Sequence, residues 1–218
     1  MPLLSIASLG DQPCIQPLTV AALRDWESQY RLPLLPDNRR GELIRPDDVG
    51  GAMVWELLVR DGKLVRLHGQ IAVRPDCLLT PELRAAAIAD EVPEGFVAAG
   101  VTAAWIHCGS GELPTLEFVY PNGANSKHAV QLSGKAWSTI DLAQAVVTIA
   151  GVPVTNPQRT IADLAWRHPP EVALQWIGNL VAAGVNLRAA ALDMERRHRV
   201  VGRDHIRAVL ATANTLFS

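Results

Sequence analysis

Three groups of residues have types and spacings that could do chemistry. The first is Arg60, Lys63, Arg66 and His68, basic side chains gathered within residues 60–68. Cations at that density suit phosphate groups, because neutralising phosphates releases their condensed counterions. The second is Arg159, Thr160 and Asp163, in the run NPQRTIAD at residues 156–163. Positions four apart share a helix face, so Arg159 and Asp163 can pair, with Thr160 one step round beside Asp163. The third is Arg196, Arg197, Arg199, Arg203 and Arg207, which with His198 and His205 form the densest basic patch. That patch fits a solvated helix face, contact with a DNA backbone, or docking on an acidic partner.

Catalysis, metal binding and cofactor binding are not expected. In SGK at residues 133–135, Ala129 and Ala136 stand where a phosphate-binding loop needs its first Gly and its final Ser or Thr. His107 and Cys108 precede GSG at 109–111, yet no acid is spaced to orient the histidine, so Cys108 reads as buried filler. The six histidines include no i, i+4 pair on which a helix could hold a metal. Three cysteines, Cys14, Cys77 and Cys108, are too widely spaced for a zinc site and too few for a disulfide framework. The six tryptophans come about one per segment, which reads as core anchors rather than one base-stacking platform.

The elements that must position these groups follow from period and punctuation. Residues 1–50 hold six of the fifteen prolines; within them 18–30 reads as a helix and 32–48 as a loop. Gly50 and Gly51 open a short helix, 52–60, expected to turn Val54, Leu57 and Leu58 inward. After the Asp61-Gly62 turn, KLVRLH and IAV flank Gly69-Gln70 as a β-hairpin. Alternation sets Val65 and Leu67 on one face, Arg66 and His68 on the other. A helix followed by such a hairpin has the form of a winged helix; a hairpin merely packed on its neighbour fits as well.

Thr80 and Pro81 start a helix over 80–91, and Asn156 and Pro157 start another that runs to about Trp166. Short strands are expected at 96–99, 116–120 and 128–132, with a helix at 101–107 between the first two. Residues 142–150 fit strand or helix, and β-branching at Val146–Ile149 favours strand. The tail reads as three helices, 170–183, 186–198 and 203–213. The fold class is therefore α+β: a small winged-helix-like N-terminal domain (1–78), then a mixed α/β domain with C-terminal helices (79–218).

Composition bounds the rest. With 49% apolar and 19% charged residues in 218, the chain is neither disordered nor collagen-like. No apolar run is long enough for a membrane span, and Asp11 and Pro13 interrupt any signal-peptide core, so the cytoplasm is the expected location. The net charge of −2 is unevenly spread. Residues 51–75 carry four basic against two acidic side chains, 76–184 five against ten, and 185–218 six against three. Nucleic-acid contact must therefore be local. An acidic middle and a basic tail could also meet between two copies, giving a homo-oligomer.

At GVPVTNPQRTIADLA, residues 151–165, the sequence resembles the signature of AbiEi-type antitoxins of type IV toxin–antitoxin systems, which read Gly-x-Pro-Val-Thr-Ser-Pro-x-Arg-Thr-x-x-Asp-Leu. RDGKLVRLHGQIAV at 60–73 is similar to the wing of that family's N-terminal winged helix, and AGVTAAWIH at 99–107 to its following short helix. The resemblance covers roughly residues 45–213. It implies an autoregulator that binds operator DNA and counteracts a nucleotidyltransferase-like toxin, with Arg159, Thr160 and Asp163 on an antitoxin surface. From the residues alone, the same three side chains fit a well-capped helix packed on a sheet. The chain departs from the family at helix 52–60, where only Glu56 and Arg60 are charged. Lys63, Arg66 and His68 are then the best phosphate contacts, and an interaction module that has lost DNA binding is the alternative. No Asp followed by a Glu-x-Lys triplet supports metal-dependent nuclease chemistry.

Overall fold

The computed structural model describes residues 43–109, 111–123, 134–196 and 202–217. All of them belong to one compact unit, Arg39–Ser218. The expected helix 18–30, most of the loop 32–48, the expected strand 128–132, and Arg197 and Arg199 lie outside the described residues.

Helix α1 (Ala52–Arg60) follows Gly50 and Gly51, whose φ angles of 93° and 109° are cheap only for glycine. Strands β1 (Val65–His68) and β2 (Ile71–Val73) form an antiparallel hairpin. Gly69, at φ 51°, takes the first loop position, where a two-residue hairpin turn needs positive φ. Ile44 bridges to Ala72 on the far side of β2, and its carbonyl accepts from the buried Trp55 indole at 3.2 Å. Val54, Leu57 and Leu58 are half-buried, in line with their expected inward turn, but the fully buried residue of α1 is Trp55. A bulge between Arg66 and His68 breaks the alternation, so Leu67 is buried while Val65 is exposed.

Helix α2 (Pro81–Ala87) starts as expected, with Thr80 accepting from the Leu83 amide, but ends early and gives way to a 3-10 turn at Ala89–Glu91. Strand β3 (Val97–Ala98) leads into α3 (Gly100–Cys108), and β4 (Glu117–Pro121), β5 (Lys135–Thr139), β6 (Val146–Ile149) and β7 (Val152–Thr155) complete a second sheet. Its order is β5-β4-β3-β7-β6, with β3–β7 and β4–β5 parallel and the other pairs antiparallel. Four helices follow: α4 (Pro157–Arg167), α5 (Pro170–Ala182), α6 (Leu187–Arg196) and α7 (Arg203–Phe217). The class is α+β with C-terminal helices.

Helix α3 is the centre of the core. Gly100 through Ile106 are all buried, as a helix apolar on every side must be. One face of the larger sheet, with Phe118 and Val154, packs with α3, Ile161 and Leu164 into the main core. Val97, Val119, Trp137 and Leu142 make a smaller cluster. Leu67 and Val73 of the hairpin belong to the main core, and the Leu113 amide donates to the Leu67 carbonyl at 2.8 Å. The expected domain division at residue 78 therefore does not separate two cores, because the hairpin buries its apolar face against the second half of the chain.

Candidate functional site

The hairpin holds its basic residues closely. Arg66 reaches back to α1, where Nη2 lies 2.7 Å from Glu56 and the guanidinium stacks 4.5 Å from the Trp55 ring centroid. Its Nη1 donates to the Gly69 carbonyl across the turn at 2.9 Å. His68 Nε2 lies 2.7 Å from Glu91 beyond α2. Arg60 pairs with its neighbour Asp61 at 3.0 Å and stays exposed. Lys63 is exposed with no ion pair among the described residues. Of the four expected phosphate contacts, Arg66, His68 and Arg60 are thus each paired with a carboxylate of this chain, Arg60 while staying exposed, and Lys63 faces solvent without an ion pair among the described residues.

The α4 group is not a surface. Asn156 caps the helix by accepting from the Arg159 amide at 2.9 Å, with Pro157 in the first turn, as the sequence indicated. Arg159 Nε donates to Asp163 at 2.8 Å, but the two side chains are only 7% and 3% exposed. Arg159 Nη2 also donates to the Thr139 hydroxyl at the end of β5. Thr160, fully buried, donates to the Asn156 carbonyl and accepts from Thr155. The expected antitoxin surface is therefore corrected: Arg159, Thr160 and Asp163 fasten α4 to the larger sheet. The reason is that α4 lies with α5, α6 and α3 packed against it, so its polar stripe points into the sheet rather than out.

Glu117, Gly100, His168 and Arg84, which the sequence did not single out, join His107 and Cys108 around α3. The buried Glu117 carboxylate accepts from the Val101 amide at 2.9 Å, capping α3, and meets His168 Nε2 at 3.0 Å. Gly100, at φ 52°, leaves the space that this carboxylate fills; a Cβ there would collide with it. Arg84 is buried and donates to the Ile106, Leu79 and His107 carbonyls, closing the C-terminal end of α3. His107 Nε2 donates to the Thr155 carbonyl at 2.8 Å, and burial pulls its pKa down, keeping the ring neutral. Burial likewise pushes the Cys108 thiol up to about 11, so it is a poor nucleophile. Each of these contacts spans between 16 and 51 positions except the Arg84–Leu79 bond and leaves no local sequence signal.

In the tail, Arg207 makes a two-pronged pair with Glu195 at 2.6 and 2.7 Å, and Arg203 shares that carboxylate at 3.6 Å. Asp204 sits 3.4 Å from Arg207, and Arg196 is exposed. Among the described arginines of the patch, Arg203 and Arg207 thus clamp α7 to α6. A depression of about 280 Å³ near Val92, Pro93, Phe96 and Val152 carries one charged side chain, Glu94. Among the described residues, no group of three or more His, Cys, Asp or Glu could hold a metal ion, and no helix is long and apolar enough to cross a membrane.

No protein-family model matches the chain, and no curated protein matches it. A similar solved structure is the crystal structure of the RV2827C protein from Mycobacterium tuberculosis, at 15% identity, covering 87% of this chain and 77% of that one, with a TM-score of 0.40. A likeness of that size carries no functional inference.

Proposed function

We propose that this chain is an AbiEi-like antitoxin and autoregulator, which contacts operon DNA through α1 and the β1–β2 hairpin and counteracts a nucleotidyltransferase-type toxin. The observation that carries the reading is the arrangement of α1 and the hairpin, with Ile44 adding a third extended segment beside β2. A helix braced by a small sheet of this kind can present its free side to a groove while the hairpin tip meets phosphates. Lys63 and Arg60, exposed at the junction of α1 and β1, are the cations best set for that contact. The resemblance of residues 151–165 to the antitoxin signature supports the same family.

One observation favours a second reading, an interaction module that has lost DNA binding. Arg66 and His68 already hold Glu56 and Glu91, so a phosphate would have to compete with carboxylates at 2.7 Å. A salt titration of binding to the duplex just upstream of the reading frame, against unrelated duplex competitor, separates the two. Specific binding whose salt slope falls by about 0.9 in Lys63→Ala supports the autoregulator. Binding no tighter than to competitor leaves the interaction module.

A further inference from the structure

Arg167 ends α4 and differs from the other arginines of the larger sheet's surroundings. It is exposed, while Arg159, two turns earlier, is buried. Its guanidinium lies 3.6 Å from the Trp166 ring centroid and 5.1 Å from that of Trp137. Among the described residues no hydrogen bond or ion pair engages its five N–H donors. Ring stacking therefore fixes the plane of the fork and leaves its donors unspent, a state in which little entropy remains to be lost on meeting an anion.

The surroundings point the same way. Gly202 lies against Trp166, so the start of α7 borders the stack. Arginine planes and tryptophan rings are what an unstacked base and its phosphate recognise. A paired duplex offers no free base face to such a stack, and a lone carboxylate on a protein would use the fork but not the rings. We propose that Arg167, with Trp166 as its platform, is a contact site for single-stranded nucleic acid, separate from the hairpin. The site takes one phosphate on the fork and one base against the stack.

Fluorescence anisotropy with 5′-labelled 12-nucleotide single strands of RNA and DNA, and with the corresponding duplex, tests this on the full chain. The wild type should bind the single strands more tightly than the duplex at low salt. Arg167→Glu should weaken single-strand binding about tenfold or more, with the salt slope reduced by about 0.7. Arg167→Lys, which keeps the charge but not the planar fork, should fall between. Arg188→Ala, an exposed cation outside both proposed contacts, should leave single-strand binding unchanged, and Lys63→Ala should weaken duplex binding more than single-strand binding, which separates this site from the hairpin reading. Circular dichroism and thermal unfolding of each exposed-site variant check that the fold is intact. Single-strand binding that is absent in the wild type, or equal in Arg167→Glu and wild type, overturns the proposal, whatever the duplex result.

Discussion

The β1–β2 hairpin and helix α4 each set an arginine against a carboxylate, at 2.7 Å for Arg66–Glu56 and 2.8 Å for Arg159–Asp163. The first pair keeps 25% and 54% of its side-chain surface, the second 7% and 3%. In water a pair of this kind is worth about 0.2–1 kcal/mol, because solvent already satisfies both charges. Inside the protein no water replaces a lost partner, so each becomes costly to leave alone. The same chemistry is thus optional on the hairpin and obligatory in α4. That difference also decides availability, since Arg66 can be drawn away by a phosphate and Arg159 cannot.

The largest test of the contrast is Asp163→Ala, which strands the buried Arg159 and should cost about 3–5 kcal/mol in urea unfolding. Replacing both partners, as Arg159→Met with Asp163→Leu, should recover most of that loss. A double variant as unstable as the single one would sink the argument that the stranded charge is the cause. Gly100→Ala comes next: left-handed backbone and a Cβ facing Glu117 should cost about 3 kcal/mol, read as a lowered thermal midpoint. Arg66→Ala should cost only about 1 kcal/mol, from a half-exposed ion pair and a stack on Trp55.

A pH series sharpens the interior side. His107 is held neutral by burial, so the unfolded chain binds more protons than the folded one at mildly acid pH. Its contribution is complete above the ordinary histidine value of about 6.5 and is lost as pH falls toward the lowered folded value. Comparing His107→Gln with wild type between pH 8 and pH 5, on the order of one pH unit per step, should show a flatter stability curve in the variant. Parallel curves would remove His107 from the account.

Local signals carried much of this fold. Thr80 with Pro81 and Asn156 with Pro157 mark helix starts that the structure keeps, because a cap and its amide lie only three positions apart. The Gly69 turn, the i, i+4 pairing of Arg159 and Asp163, and Gly184 after α5 are equally local. Other features had no such signal. Strand β5 pairs with β4 across a connection of more than a dozen residues, and its residues 135–139 alternate too weakly to announce it. The bulge that exposes Val65 depends on the partner strand as much as on its own sequence.

By itself the sequence determined where helices begin, where the hairpin turns, and which charges share a helix face, since those depend on backbone sterics and hydrogen bonds within a few residues. Tertiary structure alone decided which of those charges meet water. Arg159, Thr160 and Asp163 are interior because helices and sheet close over them, and Arg167 is exposed because the helix ends there. Glu117 and His168 meet across 51 positions for the same reason: a buried carboxylate needs a donor, and packing brings the one that fits.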